Sequence, residues 1–446
     1  MAEKQTKVEP KTLQGFMELL PSRQALFNRV QDIVRACFER FGFLPLDTPV
    51  LEYADVLLAK AGGETEKQIY RFCKGDTDMV MRFDLTVPLA KYVAKYYHEL
   101  AFPFRRYQIG KVFRGERPQK GRFREFYQCD VDVIGDGKLS ILNDAEMPAV
   151  IYTVFRELGF TKFKIYLSNR KILSAFLAGM GLGEKTALVA GAVDKLKKIG
   201  AEKVRGELLE LKLPGEAVER IMDFVSLSGT ADEQLIKLST YLEGSEAFRA
   251  GVAELAEVIK GVRLFGVPDE NFAVDLTIVR GLDYYTGTVY ETFLDGFENI
   301  GSVCSGGRYD NLAGFYTDKP LPGVGISIGL TRLFDKLCDV MEHQAPAVST
   351  VLVLSPDGQG TDACMNAAAY LRAKGIAAEV YLEDGKAKAK FKYADRLNIP
   401  FVMVIGESER QNGTVTIKNM ATGAQREDVS LNEAVLEGLR NAAENF

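Results

Sequence analysis

Phe104–Gly135 reads FRRYQIGKVFRGERPQKGRFREFYQCDVDVIG. Two long strand-like runs flank the polar loop RPQKGR, so the segment folds back on itself as an antiparallel hairpin. Such a pair places the chain in the α+β class, an antiparallel sheet body flanked by helices. The hairpin also concentrates charge. Over Arg105–Glu125, Arg105, Arg106, Lys111, Arg114, Arg117, Lys120, Arg122 and Arg124 face only Glu116 and Glu125, in a chain whose net charge is −5. Side chains alternate between the two faces of a strand, so Arg114 and Glu116 share one face. Arginine there favours bidentate contact with a phosphate or carboxylate; the plainer reading is a solvated basic loop. Gln128, Asp130 and Asp132 alternate in the same way and are either exposed or line a polar pocket. Phe126 and Val131 are expected on the opposite face.

Outward from the hairpin, Pro21–Gly42 carries helical spacing through Leu26, Val30, Ile33, Val34 and Phe38 and closes on Gly42. FLPLDTPVLEY follows as an extended segment, and IYRFCKGDTDMVMRFD reads as a hairpin around Gly75-Asp76. A helix is expected over about Thr86–Tyr97. Residues 170–255 hold amphipathic helices with little strand pattern and read as a helical insertion. Strand pattern returns in DLTIVRGLDYYTGTVYE (Asp275–Glu291), whose first half reads as a buried strand. The glycine-rich pair SGGRYDNL and GVGISIGLTRL follows and runs into a helix. After a linker at Glu342–Thr350, strands TVLVLSP, AAEVYL and PFVMVIG alternate with helices, which implies a parallel sheet covered on both faces. The expected domains are 1–169 with 256–343, the insertion 170–255, and a small α/β domain at 344–446. On polarity, Glu64–Lys67 and Arg117–Arg122 are expected to be mobile loops.

Composition narrows the function. The 446 residues are 47% hydrophobic and 26% charged, ordinary for a globular protein. Six cysteines form no CxxC pair, and the two histidines, His98 and His343, are far apart, which disfavours zinc, a disulfide framework and a Ser-His-Asp triad. No Walker A sequence and no GxGxxG after a first strand is present. No signal peptide or long apolar span is visible, so a cytoplasmic location is expected.

Further chemistry sits in RFDLTVP, where Asp84 and Thr86 mark the end of a strand and the start of a helix. Either is an N-cap or a pocket group. Arg280, beside Gly281 and ahead of Tyr284 and Tyr285, is a costly cation in an apolar run; it either stacks on a ring or awaits an anion. The glycines of the last two blocks permit close approach of a ligand. Together the clusters supply arginines for phosphate and carboxylates for an amine, a set that suits nucleotide-dependent activation of an amino acid.

In these blocks the chain resembles the histidyl-tRNA synthetases, which are class II aminoacyl-tRNA synthetases. GFLPLDTPVLE is similar to class II motif 1, with Pro49 as the motif proline; FRGERPQKGRFREFYQ is similar to motif 2; GVGISIGLTRL is similar to motif 3, with Thr331-Arg332 where the family often reads Glu-Arg. VRGLDYYTGTVYE and SGGRYDNL resemble the two blocks specific to the histidine enzymes. The resemblance implies ATP-dependent formation of histidyl-adenylate and transfer to tRNA(His). It places Asp84, Leu85, Thr86 and Gln128 at the histidine amino end, and Asp132, Tyr284 and Tyr285 around the imidazole. Arg114 would contact the histidine carboxylate and the α-phosphate, and Arg280 would sit near that phosphate. Glu116, Phe126 and Arg332 would hold the adenine and γ-phosphate ends of ATP. Mg²⁺ would accompany ATP, with no protein metal site and no permanently bound cofactor. A homodimer through motif 1 and a C-terminal anticodon-binding domain are further implications. Lys386, Lys388, Lys390 and Lys392 would be available to tRNA phosphates. The rival reading is a non-catalytic relative that regulates ATP phosphoribosyltransferase; it usually lacks the last domain and the ATP-binding arginines, both present here.

Overall fold

The structure, a computed structural model, describes residues 7–59, 64–117, 121–241, 244–278, 284–297, 300–340 and 347–444. Two compact units emerge, Met1–Glu18 with Val30–Val340, and Leu19–Arg29 with Met341–Phe446. The helical insertion lies within the first unit.

The first unit is built on an eight-stranded sheet. Phe104–Phe113 and Glu125–Ile134 are its long antiparallel pair, with Arg106 opposite Asp132 and Gln108 opposite Asp130. Gly323–Gly329 pairs on the other side of Glu125–Ile134, setting Gly325 against Asp132 and Ser327 against Asp130. Cys304–Tyr309 and Thr288–Leu294 continue the antiparallel run. Cys129, Val131 and Val133 are fully buried, so the odd positions of Glu125–Ile134 serve the core. The helix Leu330–Val340 packs against that strand, and the helix Leu142–Glu157 against Cys304–Tyr309 and Gly323–Gly329.

Several local expectations change. Strand structure ends at Val274; Asp275 Oδ1 accepts from the Thr277 amide at 2.9 Å and its hydroxyl at 2.6 Å, which bends the chain into a turn. Glu64–Gln68 is a short helix, where a loop was expected. The last helix of the insertion, Glu246–Leu264, runs past residue 255 and packs against Leu142–Glu157 and Arg170–Gly179. The hairpin at Gly75-Asp76 forms, and Leu51–Tyr53 joins it as a third strand. Buried Arg82 ties the Pro49 segment to the long hairpin, donating to Thr48 O at 2.5 Å and Lys111 O at 2.7 Å.

In the second unit, Val351–Leu354 lies between Ala378–Val380 and Phe401–Val404, all parallel. The sheet is mixed, however, because Val415–Asn419 and Gln425–Val429 extend it antiparallel. Their connection is an Asn-led turn in which Asn419 Oδ1 accepts from the amides of Ala421 and Thr422. Lys390 is buried and donates to Ser355 O at 2.8 Å, so it braces a loop; Lys386, Lys388 and Lys392 are exposed. Among the described residues no helix is long and apolar enough to cross a membrane.

A buried ion pair helps join sheet to helix in the first unit. Arg308 Nη2 lies 2.6 Å from Asp144 Oδ2 and also donates to the carbonyls of Leu139 and Ser140. Asp144 has no exposed surface, and the Tyr290 hydroxyl donates to its carbonyl at 2.8 Å. Removing one partner strands a buried charge, so Asp144→Ala should destabilise the first unit by about 3–5 kcal/mol. Urea unfolding checks this; a loss below about 1 kcal/mol would show that Arg308 finds other compensation.

Candidate active site

The even positions of Glu125–Ile134 open onto a cavity of about 290 Å³. Phe126, Gln128, Asp130 and Asp132 line it together, as a period of two demands. This corrects the expectation that Phe126 faces away; only Val131 does.

At one end the cavity is acidic. Asp84 closes the turn into the helix Thr86–Lys95, its Oδ1 accepting from the Val87 amide at 3.0 Å. It therefore caps the turn and also lines the cavity. Burial pushes its carboxyl up, against the pull of that hydrogen bond and of Arg114. Asp132 is held on both oxygens, Oδ1 by the Tyr309 hydroxyl at 2.7 Å and Oδ2 by Arg106 Nη2 at 2.6 Å. Arg106 has no exposed surface and also donates to Leu85 O at 3.2 Å. Burial again raises the Asp132 carboxyl, with Arg106 opposing. Gln128 Nε2 donates to Ser327 Oγ at 2.7 Å, which leaves its carbonyl oxygen without a protein partner. Tyr284 meets Tyr285 and Tyr309 edge to face, with ring centroids 5.0 and 5.8 Å away. A Cβ on Gly307 would lie 2.9 Å from the Tyr285 ring, so only glycine leaves that ring its place.

The other end is cationic. Arg114 lies over the rings of Phe83 and Phe126, at 4.3 and 5.2 Å, and donates to Phe83 O. Burial lowers the hold of its guanidinium on the proton, partly offset by Asp84 and Glu116. Arg332 donates to Ser302 O at 2.6 Å and Gly121 O at 3.0 Å. Burial, then Arg122 and Arg114, lower it too. Among the described residues neither Arg114 nor Arg332 has an ion pair; Glu116 pairs with Arg122 at 3.6 Å. Thr331, in place of the more usual acid, accepts from the Tyr127 amide at 2.8 Å.

The cavity thus gathers Asp84, Thr86, Arg114, Glu116, Phe126 and Gln128, and also Asp132, Tyr284, Tyr285 and Arg332. Leu85 is buried outside its lining and contributes a carbonyl to Arg106. Arg280 lies outside the described residues. The basic hairpin proves divided: Arg105 pairs with Glu146, Arg106 with Asp132 and Lys111 with Glu125, so these three are structural. Sequence reasoning gave no role to Arg106, Tyr309 or Ser327. The signal for Tyr309 was its place in SGGRYDNL; Arg106 and Ser327 could be found only from the strand register. Among the described residues no group of three or more His, Cys, Asp or Glu side chains is arranged to hold a metal ion.

The family described as histidyl-tRNA synthetase matches residues 15–333, and the anticodon-binding domain matches residues 349–440. A histidine–tRNA ligase of Clostridium tetani is 53% identical over 431 residues, covering 96% of this chain and 98% of its own. The crystal structure of a histidyl-tRNA synthetase from Nostoc sp. PCC 7120 superposes with a TM-score of 0.89 at 39% identity, covering 98% of this chain and 100% of that one. A structure described as an ATP phosphoribosyltransferase regulatory subunit/histidyl-tRNA synthetase from Bacillus halodurans C reaches a TM-score of 0.74 at 21% identity, covering 90% and 99%, a likeness of fold alone. With most of its length matched at such identity, and with an acidic and a cationic end in one cavity, the chain belongs to the histidyl-tRNA synthetase family, class II aminoacyl-tRNA synthetases.

Proposed function

We propose that this cavity joins L-histidine to ATP, forming histidyl-adenylate and diphosphate, and passes the histidyl group to the 3′ end of tRNA(His) with release of AMP. The observation that carries this reading is the charge partition of a single cavity: carboxylates at one end and, at the other, arginines that form no carboxylate ion pair among the described residues. Half-buried cations that repel one another are stabilised by an anion of several charges. A buried acidic end calls for a ligand that donates hydrogen bonds.

Adenylation brings the histidine carboxylate onto the α-phosphorus, one anion against another. Positioning and charge neutralisation carry such a step. Arg114, at the cationic end but close enough to feel Asp84, would hold the carboxylate against the α-phosphate, with Arg280 as its second cation. Arg332 would meet the γ-phosphate, Glu116 the adenine end, and Phe126 the face of the base. Asp84, Thr86 and Gln128 would receive the ammonium; Tyr284, Tyr285 and Asp132 would bound the imidazole. Magnesium enters with ATP as part of the substrate, held on phosphate oxygens. Fixed guanidinium groups need no reorganisation as charge develops.

The second unit would bind the anticodon arm, with Lys386, Lys388 and Lys392 available to phosphates, and the insertion would reach the acceptor arm. Leu44, Leu51 and Tyr53 leave exposed apolar surface around Pro49, which fits burial against a second copy in a homodimer. Such a protein would work in the cytoplasm. The regulatory reading is not favoured, because Arg114 and Arg332 both reach the cavity.

Pyrophosphate–ATP exchange with each of the twenty amino acids in turn tests the reading. Exchange should depend on histidine; a folded protein that exchanges with none of them would sink it. Arg114→Ala or Arg280→Ala should each lower the exchange rate by ~10²–10³. Sedimentation of either variant should remain that of a dimer. A variant with full activity would remove that arginine from the mechanism.

A further inference from the structure

Arg124 belongs to the long hairpin but does not line the cavity. Its contacts run to two residues that do. The Arg124 carbonyl accepts from the Arg114 amide at 2.9 Å, the next rung after Phe113 and Glu125. Its Nε donates to Glu116 O at 3.0 Å. One residue thus holds the backbone on both sides of Gly115, whose own amide donates to Gln68 O at 2.7 Å. Arg124 is in turn held from outside the hairpin. Leu13–Phe16 forms a tight turn, closed by the Phe16 amide donating to Leu13 O at 3.0 Å, with Gly15 at a φ of +86°. A left-handed third residue is what a type II turn requires, and glycine supplies it without steric cost. Gly15 O accepts from the amides of Arg124 at 2.7 Å and Glu125 at 3.3 Å. A Cβ on Gly15 would come within 2.9 Å of Arg124 Cγ, so the turn is seated directly on the arginine stem. We propose that Arg124 is a positioning residue for the adenylation step and that the N-terminal turn Leu13–Phe16 holds it in place. This rests on the ATP-using reading above and deepens it.

The physical need is clear from the register. Arg114 and Glu116 lie beyond the last pair of the strand ladder, so the hydrogen bonds that stiffen the rest of the hairpin do not reach them. Both line the cavity, where a guanidinium or carboxylate must be held to within about 0.5 Å to be useful. A misplacement of about 1 Å can cost ~10²-fold in rate. Arg124 supplies the missing restraint in two separate ways. Its carbonyl fixes Arg114, and its side chain fixes Glu116. On the same returning segment, Arg122 pairs with the Glu116 carboxylate at 3.6 Å, so two arginines restrain the side chain and the backbone of one residue. The turn that seats Arg124 comes from the other end of the sequence, and its hold passes entirely through backbone groups and a glycine.

The test is histidine-dependent pyrophosphate–ATP exchange by wild-type protein, Arg124→Ala, Arg124→Gln and Gly15→Val. Arg124→Ala frees Glu116 O and should raise KM for ATP about 10–100-fold. The Arg114 amide keeps its partner, a carbonyl, so KM for histidine should stay within about twofold of wild type. Glutamine carries an N–H the same number of bonds from Cα as Arg Nε but no charge, so Arg124→Gln should keep KM for ATP within about threefold of wild type. Gly15→Val alters no charge and no cavity residue, yet forces the turn off Arg124; it should raise KM for ATP and lower kcat, because the Arg124 backbone moves and Arg114 with it. Loss of stability alone would lower the active fraction, and with it kcat, leaving both KM values where they were. A KM for ATP within about twofold of wild type in Arg124→Ala or in Gly15→Val overturns the proposal. So does an Arg124→Gln as impaired as Arg124→Ala, which would assign the effect to charge. Should Arg124→Ala or Gly15→Val not fold, Arg124→Met or Gly15→Ala takes its place with the same expectation. Wild-type protein without histidine-dependent exchange fails the broader reading instead.

Discussion

Three carboxylates, Asp84, Asp130 and Asp132, share one buried space with a single guanidinium that has no exposed surface, Arg106. Bringing so many acids out of water is affordable only if each is paired, hydrogen-bonded or held neutral. The protein uses all three answers. Asp132 is paired with Arg106, Asp84 accepts a helix amide, and Asp130 is pushed up to about 7. The solution depends on register. Arg106 stands opposite Asp132 only because Phe104 pairs with Ile134, and a slip of one residue would turn both charges into the apolar core. The pocket and the sheet are thus specified by the same pairing.

At the far end the logic inverts. Arg114 and Arg332 are half-buried and, among the described residues, form no ion pair with a carboxylate; Arg122 adds to the repulsion at Arg332. Backbone carbonyls of Phe83, Ser302 and Gly121 hold the two guanidinium groups in place without neutralising them. A carbonyl satisfies an N–H but leaves the net charge for an incoming anion. The acidic end was built to be nearly balanced when empty, the cationic end was not, and this difference gives the cavity its polarity.

Much of this was legible in the sequence, because strand period and hairpin geometry are local. The two long strands, the alternation of Gln128, Asp130 and Asp132, and the helices of residues 170–255 all follow from spacing within a few residues. What escaped depends on contacts between distant segments. Eight cations in one hairpin read as a basic surface, yet Arg105 is taken by Glu146 on a helix and Arg106 by its neighbour across the sheet. Lys390 read as an exposed member of a lysine series and is buried against Ser355. The turn at Asp275 replaces strand because one side-chain oxygen can serve two nearby donors, a choice that an apolar run does not reveal. Resemblance to a family drew attention to Asp132, and only the register shows that Arg106 and Asp130 stand beside it in the same buried space.

Phe126, Gln128, Asp130 and Asp132 all face the cavity, and at about 3.3–3.4 Å per residue they span roughly 20 Å in nearly equal intervals. An extended ligand with a planar base at one end and a polar ring at the other can lie along such a row. A strand inside a sheet is held by hydrogen bonds on both sides, so these intervals are far stiffer than a loop could make them. Stiffness matters for discrimination. A site with acceptors fixed at set distances rejects analogues that lack the matching donor by about 10⁴ or more, because the unmatched acceptor stays buried and unpaired. On the proposed reading, the strand that measures the distance from base to imidazole is also the strand whose register keeps its carboxylates compensated. Selectivity and folding therefore draw on one set of backbone hydrogen bonds, and a substitution that loosens the first would be expected to weaken the second.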